Sequence, residues 1–221
     1  MSQEPIEAVQ ESEDPLSSQH KAETSHAHKR LIYELFVLGE LMDGPHHGYK
    51  LREILSYLLG PFRQISWGVL YPLIRQLERE ELLTYEPEAP PGERKQGGAS
   101  SRQSKHYTIT ATGRKRFYTL MLEQGDYHAE YRELFLIKLN NFDHLSPQQQ
   151  LTVLQQYRGC LQVEDFYLKG AQQHVLTSAD VPDGQRAHIL YILRFRWSSI
   201  QGEMQWIEEQ IRRLEEQVEE A

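Results

Sequence analysis

From Arg30 onward apolar residues recur at intervals of three and four. Leu31, Leu35, Leu38 and Met42 share one face and Ile32 and Phe36 widen it, which predicts an amphipathic helix. It stops at Asp43-Gly44-Pro45, because glycine accepts the left-handed position after a last turn and proline cannot continue the ladder. A second helix is predicted from about His47, with Leu51, Ile54, Leu55 and Leu58 inward, ending at Gly60-Pro61. A third follows Ser66, a candidate N-cap, with Leu70, Leu73, Ile74 and Leu77 on one side and Trp67, Tyr71, Arg75 and Glu78 opposite. Pro72 would remove a hydrogen bond far from that start, so regular helix is expected only from near Gly68.

Leu82 to Glu86 then reads as a short strand and Lys105 to Ile109 as its partner, with Tyr107 and Ile109 on one face. Between them, residues 87–104 are rich in proline, glycine and serine and form a long tip. Three helices followed by such a hairpin is the winged helix-turn-helix layout. Thr110 is an N-cap for a fourth helix carrying Phe117, Leu120 and Met121. The pattern weakens at Gln124-Gly125-Asp126 and resumes with Tyr131, Leu134, Phe135 and Lys138, so Gly125 marks a domain boundary. Ser146-Pro147-Gln148-Gln149 is a capping box opening a helix with Leu151, Leu154, Leu161 and Leu168.

In the last element Leu190, Leu193, Trp197, Ile200, Met204, Ile207, Ile211, Leu214 and Val218 recur at alternating intervals of three and four, a heptad seam that requires a partner helix. The expected partner is a second copy of the chain, with a helix folded back within the same subunit as the alternative. The expected architecture is mainly α: an acidic, unstructured tail at 1–29, a winged helix-turn-helix domain with a small β-hairpin at 30–124, and an all-α dimerisation domain at 125–221.

Composition sharpens the functional choice. The 221 residues carry a net charge of −8, yet residues 30–117 alone are positive, and positions 94–116 hold seven cations with no carboxylate. A local basic patch is what a phosphate-facing element needs, although a solvated surface face produces the same pattern. No apolar run is long enough to span a bilayer and the N-terminus lacks a signal-peptide layout, so a soluble, cytoplasmic protein is expected. The single Cys160 excludes an intramolecular disulfide and a cysteine-clustered zinc site, and reads as a small buried apolar residue. His20, His26 and His28 offer weak chelation in the tail, where histidines are usually only polar, and His46-His47 point to different sides. No nucleophile, acid–base pair, phosphate loop or metal-ligand cluster is recognised, so no enzyme activity and no cofactor are expected.

Binding to duplex DNA has a positive case. Ser66, Gly68 and the free amides at the third helix's start can approach phosphate, Trp67 can pack on the sugar–phosphate edge or fill core beneath the wing, and Tyr71 and Arg75 can reach backbone or bases. His47, Tyr49 and Lys50 sit where the second helix crosses the DNA backbone, and Arg94, Lys95, Arg102 and Lys105 are the wing cations. Tyr127, Tyr131 and Phe135 are the candidate lining of a pocket for a planar molecule, although aromatics at helical spacing are more often core.

Three separated motifs, LFVLGELMDGPHHGY from Leu35, ISWGVLYPLIRQLEREELL from Ile65 and KHYTITATGRKRF from Lys105, together resemble the PadR family of bacterial transcriptional regulators over about residues 31–120. LFLIKLNNFDHLSPQQQ is similar to the start of the helical C-terminal domain in longer members. The resemblance implies a homodimer held by C-terminal helices, one winged helix per subunit on a palindromic operator, repression, and its relief by a small aromatic ligand such as a phenolic acid. The acidic N-terminal segment and the lengthened tip at 87–104 depart from the family's core pattern. The competing reading is a winged helix that binds protein and not DNA.

Overall fold

A computed structural model describes residues 15–60, 66–86 and 106–219. The elements in chain order are helix α1 (Pro15–Glu40), strand β1 (His46–His47), α2 (Gly48–Leu59), α3 (Trp67–Arg79), β2 (Leu83–Glu86), β3 (His106–Ile109), α4 (Ala111–Leu122), α5 (Tyr131–Asn140), a 3-10 turn (Phe142–His144), α6 (Pro147–Thr177) and α7 (Asp183–Glu219). The expected fold class is the observed one: mainly helical, with a small antiparallel sheet and a long helical C-terminal region. Among the described residues no helix is long and apolar enough to cross a membrane.

The predicted apolar stripes form one continuous core. Leu35, Leu38, Leu51, Leu55, Leu70, Ile74 and Leu77 are buried, and α1 is the hub, packing against α2, α3, α4 and α5. The sheet has three strands in the order β1-β3-β2, with His46 opposite Tyr107 on one side of β3 and Tyr85 opposite Tyr107 on the other. The sequence predicts only the β2–β3 pair. A two-residue strand carries no periodicity, and its partner lies about 60 positions away.

Two helix starts form as the local chemistry requires. The Thr110 hydroxyl accepts from the Gly113 amide at 3.0 Å, and Ser146 and Gln149 close a reciprocal capping box at 3.0 and 3.3 Å. One expectation fails. The stretch 15–29, expected to be an unstructured tail, is helical from Pro15, because α1 continues upstream of Arg30 on polar contacts: Ser25 Oγ donates to Glu130 at 2.9 Å, and Lys29 pairs with the same carboxylate. Regular helix in α3 begins at Trp67, beside the expected start near Gly68, and Pro72 lies in its interior. The carbonyl that a residue-72 amide would have met belongs to exposed Gly68 in the first turn, where water can satisfy it.

Within the chain the heptad seam meets the second of its two expected partners, a helix of the same subunit. Leu193, Ile200, Ile207 and Ile211 are buried, Leu190, Met204 and Leu214 half-buried, and all pack in a hairpin of α7 against α6 of the same chain. Trp197 and Val218 remain partly exposed at its margins, and Trp197 Nε1 donates to Asp165 at 2.9 Å. The short 178–182 turn returns α7 along α6. Arg186 locks that turn by donating to the carbonyls of Val175, Ser178 (3.1 Å) and Val181 (3.0 Å).

Charged groups join the two halves. Buried Glu34 of α1 accepts from Arg116 of α4 at 2.7 Å, and buried Glu40 accepts from Asn140 of α5 at 3.0 Å, with burial pushing the Glu40 carboxyl up. Lys138 is buried, donating to the Glu123 carbonyl and to Gln156, both at 3.1 Å, and burial lowers its ammonium to about 8. Below about pH 8 the folded chain must hold a desolvated cation that the unfolded chain solvates freely. That cost shrinks as pH rises and is gone above the ordinary lysine value of 10.5. Comparing wild type with Lys138→Met by urea unfolding at pH 7 and pH 10.5, the difference is expected to move in favour of wild type by about 3 kcal/mol. A pH-independent difference would show that the ammonium is not desolvated.

Candidate nucleic-acid interface

Helix α3 presents its polar side to solvent because its apolar stripe is used against α1 and β2. Tyr71 is 40% and Trp67 39% exposed, and Ser66, Gly68 and Arg75 are exposed too. Ser66 holds the N-cap position with extended backbone, but its side chain makes no capping hydrogen bond, contrary to the expected role. The amides of Val69 and Leu70 instead reach the Ser66 carbonyl at 3.0 and 3.3 Å.

Two cation–aromatic pairs organise the surface. The Arg75 guanidinium lies 4.9 Å from the Tyr71 ring centre, and that of Arg52, from α2, lies 5.3 Å from Trp67. Each ring thus fixes a cation at the surface without neutralising it. The start of α2 packs beside Trp67 and Tyr107, a Cβ at Gly48 standing 3.8 Å and 3.7 Å from their rings, which is ordinary contact. Trp67 is thus partly packed and partly open to solvent. Tyr107 of β3 forms the floor, its hydroxyl pushed up to about 12 by burial and by neighbouring Tyr71 and Glu78.

At the start of α2, Tyr49 and Lys50 are exposed, with Lys50 paired to Glu53 at 3.1 Å. His47 is half-buried in β1, its ring 3.5 Å from that of His106 and 5.3 Å from that of Tyr49. The expected interface residues of α2 and α3 thus share one side with Arg52, which the sequence places on the polar side of α2 without a role. An open groove of about 730 Å³ runs between Tyr49, Arg52, Glu53, Tyr57 and Trp67. The wing cations Arg94, Lys95, Arg102 and Lys105 lie outside the described residues. Of the remaining basic run, Arg114 and Lys115 are exposed on α4, whereas Arg116 is taken by Glu34.

The aromatic residues of the second half divide. Tyr127 and Tyr131 meet edge-to-face at 5.1 Å and line a crevice of about 530 Å³ with Arg132, Tyr157 and Tyr167. Phe135 stacks on the far side of Tyr157 at 3.9 Å and faces a separate hollow of about 350 Å³ beside Trp206. The expected trio therefore does not line a single pocket. Arg132 donates to Glu203 at 3.0 Å and to the Tyr157 hydroxyl, which itself donates to Glu203. Cys160 is half-buried at this crevice, and burial pushes its thiol up to about 11, so it is a poor nucleophile at neutral pH.

No curated protein matches the chain. Among solved structures, PadR of Bacillus subtilis in complex with operator DNA is 18% identical, with 82% of this chain and 98% of that one covered and a TM-score of 0.37. The same protein in complex with p-coumaric acid is 17% identical, covering 83% and 99%, at 0.35. The virulence activator AphA of Vibrio cholerae is 18% identical, covering 84% and 99%, at 0.32. Residues 37–119 match the model of the Transcriptional regulator PadR-like family, a segment that contains α2, α3 and the three strands.

Proposed function

We propose that the chain is a sequence-specific DNA-binding regulator that acts as a homodimeric repressor and releases its operator when a small planar molecule binds. The observation that carries DNA binding is the outward face of α3, where Trp67, Tyr71 and Arg75 stand clear of the protein's own interior. Tyr49, Lys50 and Arg52 extend the same surface onto α2, the usual site of backbone contact in a helix-turn-helix. Phosphate contacts would position the dimer and the α3 side chains would read base edges.

Dimerisation is supported by a different surface from the heptad seam. Val163, Phe166 and Tyr167 of α6 and Tyr191, Ile192 and Phe195 of α7 are all exposed on the hairpin, Phe166 by 81% and Phe195 by 70%. Exposed apolar groups in this number mark interaction sites, and a second copy covering them gives two winged helices for a two-half-site operator. Repression and an effector rest on the family resemblance, and the Tyr127–Tyr131 crevice is the place we assign to the effector.

The test is binding to a duplex selected from a randomised pool by the wild-type chain. Affinity is expected to fall steeply across a salt series, and Arg75→Ala to weaken binding by about tenfold or more while leaving the circular dichroism unchanged. A flat salt response, or unaltered binding by Arg75→Ala, overturns the assignment of α3. Failure to enrich any duplex favours the protein-binding alternative.

A further inference from the structure

His28, on the upstream part of α1, lies against the loop joining α4 to α5, where its imidazole stacks on that of His128 with ring centres 3.7 Å apart. Glu130, two residues further on, turns the same way, and the donor atoms of His28, His128 and Glu130 all lie within 4.8 Å of one another. We propose that these three residues form a binding site for a divalent transition-metal ion of the zinc class, the two imidazoles turning out of their stack so that their lone pairs converge on the ion, which then tethers the upstream part of α1 to the α4–α5 loop.

The donor set suits such an ion, since two imidazoles and one carboxylate is an established three-ligand combination for zinc that leaves a fourth position for water. The spacing suits it as well. Metal–nitrogen and metal–oxygen bonds of about 2.0–2.1 Å in a tetrahedron separate neighbouring donors by about 3.4 Å. His128 Nδ1 and Glu130 Oε2 are 3.4 Å apart, long for a hydrogen bond to a ring N–H but matched to a tetrahedral edge.

The outer contacts of the carboxylate point the same way. Ser25 Oγ donates to Glu130 Oε1 at 2.9 Å and Lys29 Nζ lies 3.9 Å from that oxygen, so both act on Oε1 and leave Oε2 aimed at the histidines. Orientation of a ligating carboxylate by such groups is how metal sites tune affinity. His128 also borders the Tyr127–Tyr131 crevice, so an ion here would stand at its rim.

The probe is cobalt(II), titrated into the full chain without DNA and followed by equilibrium dialysis and visible absorption. The result is thus independent of DNA binding. We expect one ion per chain with the intense bands of a four-coordinate site. His28→Ala and His128→Ala should each abolish the bands, Ser25→Ala should weaken uptake by about tenfold, and His26→Ala, an exposed neighbour, should leave it intact. Glu130→Gln provides the same test if a histidine variant fails to fold by circular dichroism, and its loss of the bands supports the site. No saturable uptake by the wild type, or uptake that survives His128→Ala and Glu130→Gln, overturns it.

Discussion

Ile207→Asp is expected to unfold the α6–α7 hairpin and not to release folded monomers. Ile207 is fully buried on the face of α7 turned toward α6. A carboxylate placed there has no cation to meet: Arg158 is engaged by Glu208, and Arg212 and Arg213 pair with Glu209 on the exposed side. Burying an unpaired charge costs about 4 kcal/mol, a large share of the 5–15 kcal/mol that holds a typical domain. Urea unfolding of the variant should show a lowered or split transition, with loss of helical circular dichroism at moderate denaturant. Phe195→Asp provides the contrast. Its ring is 70% exposed on the opposite side of the same helix, so the hairpin should survive while sedimentation shifts from dimer to monomer. If Ile207→Asp instead gives stable, folded monomers, the seam joins two copies after all and the intrachain packing is not the solution arrangement.

That contrast shows where a sequence stops being informative. The nine-position seam states that one face of α7 must be covered, and four of its members are indeed buried, but periodicity cannot say whose helix covers it. The opposite face was invisible for a related reason: Tyr191, Ile192 and Phe195 fall outside the heptad, so they read as incidental apolar residues until the structure leaves all three exposed. Local chemistry was far more legible. The outward set on α3, the Thr110 cap and the Ser146–Gln149 box each depend on residues within one or two turns, and their placement on the chain follows from spacing alone.

Contacts between distant positions were not legible. Arg116 counts as one more cation in a basic run, yet Glu34, 82 residues earlier, accepts its hydrogen bond. His28 reads as a polar residue in a tail because the group it faces, His128, is a hundred positions away and the helix that carries it has no apolar stripe upstream of Arg30. Sites built from such meetings require coordinates.

Gly113→Ala is the substitution expected to damage the winged domain most for the smallest change, a single methyl group. Gly113 occupies the first turn of α4, where a Cβ would stand 2.0 Å from the Leu82 carbonyl oxygen and 2.8 Å from Ile109 Cγ1. Neither neighbour is free to withdraw. The Leu82 carbonyl accepts from the Thr110 amide at 3.1 Å, and the Thr110 hydroxyl donates to the Glu81 carbonyl at 2.7 Å while accepting from Gly113 itself. The turn on the other side is already strained, with Glu81 in the left-handed region at φ 58°, where a residue bearing a Cβ is held only by its surroundings. Relief therefore requires α4 to lift away from the α3–β2 turn, losing the cap at Thr110 and loosening β3, which enters α4 through that residue. Overpacking of this kind costs about 3 kcal/mol, and loss of the cap adds about 1 kcal/mol. The expected result is a fall of several degrees in the midpoint of thermal unfolding, with Arg75 contacts weakened in step because Tyr107 of β3 forms the floor beneath Tyr71. Unchanged thermal stability would mean that α4 does not approach the α3–β2 turn as closely as 2.0 Å requires.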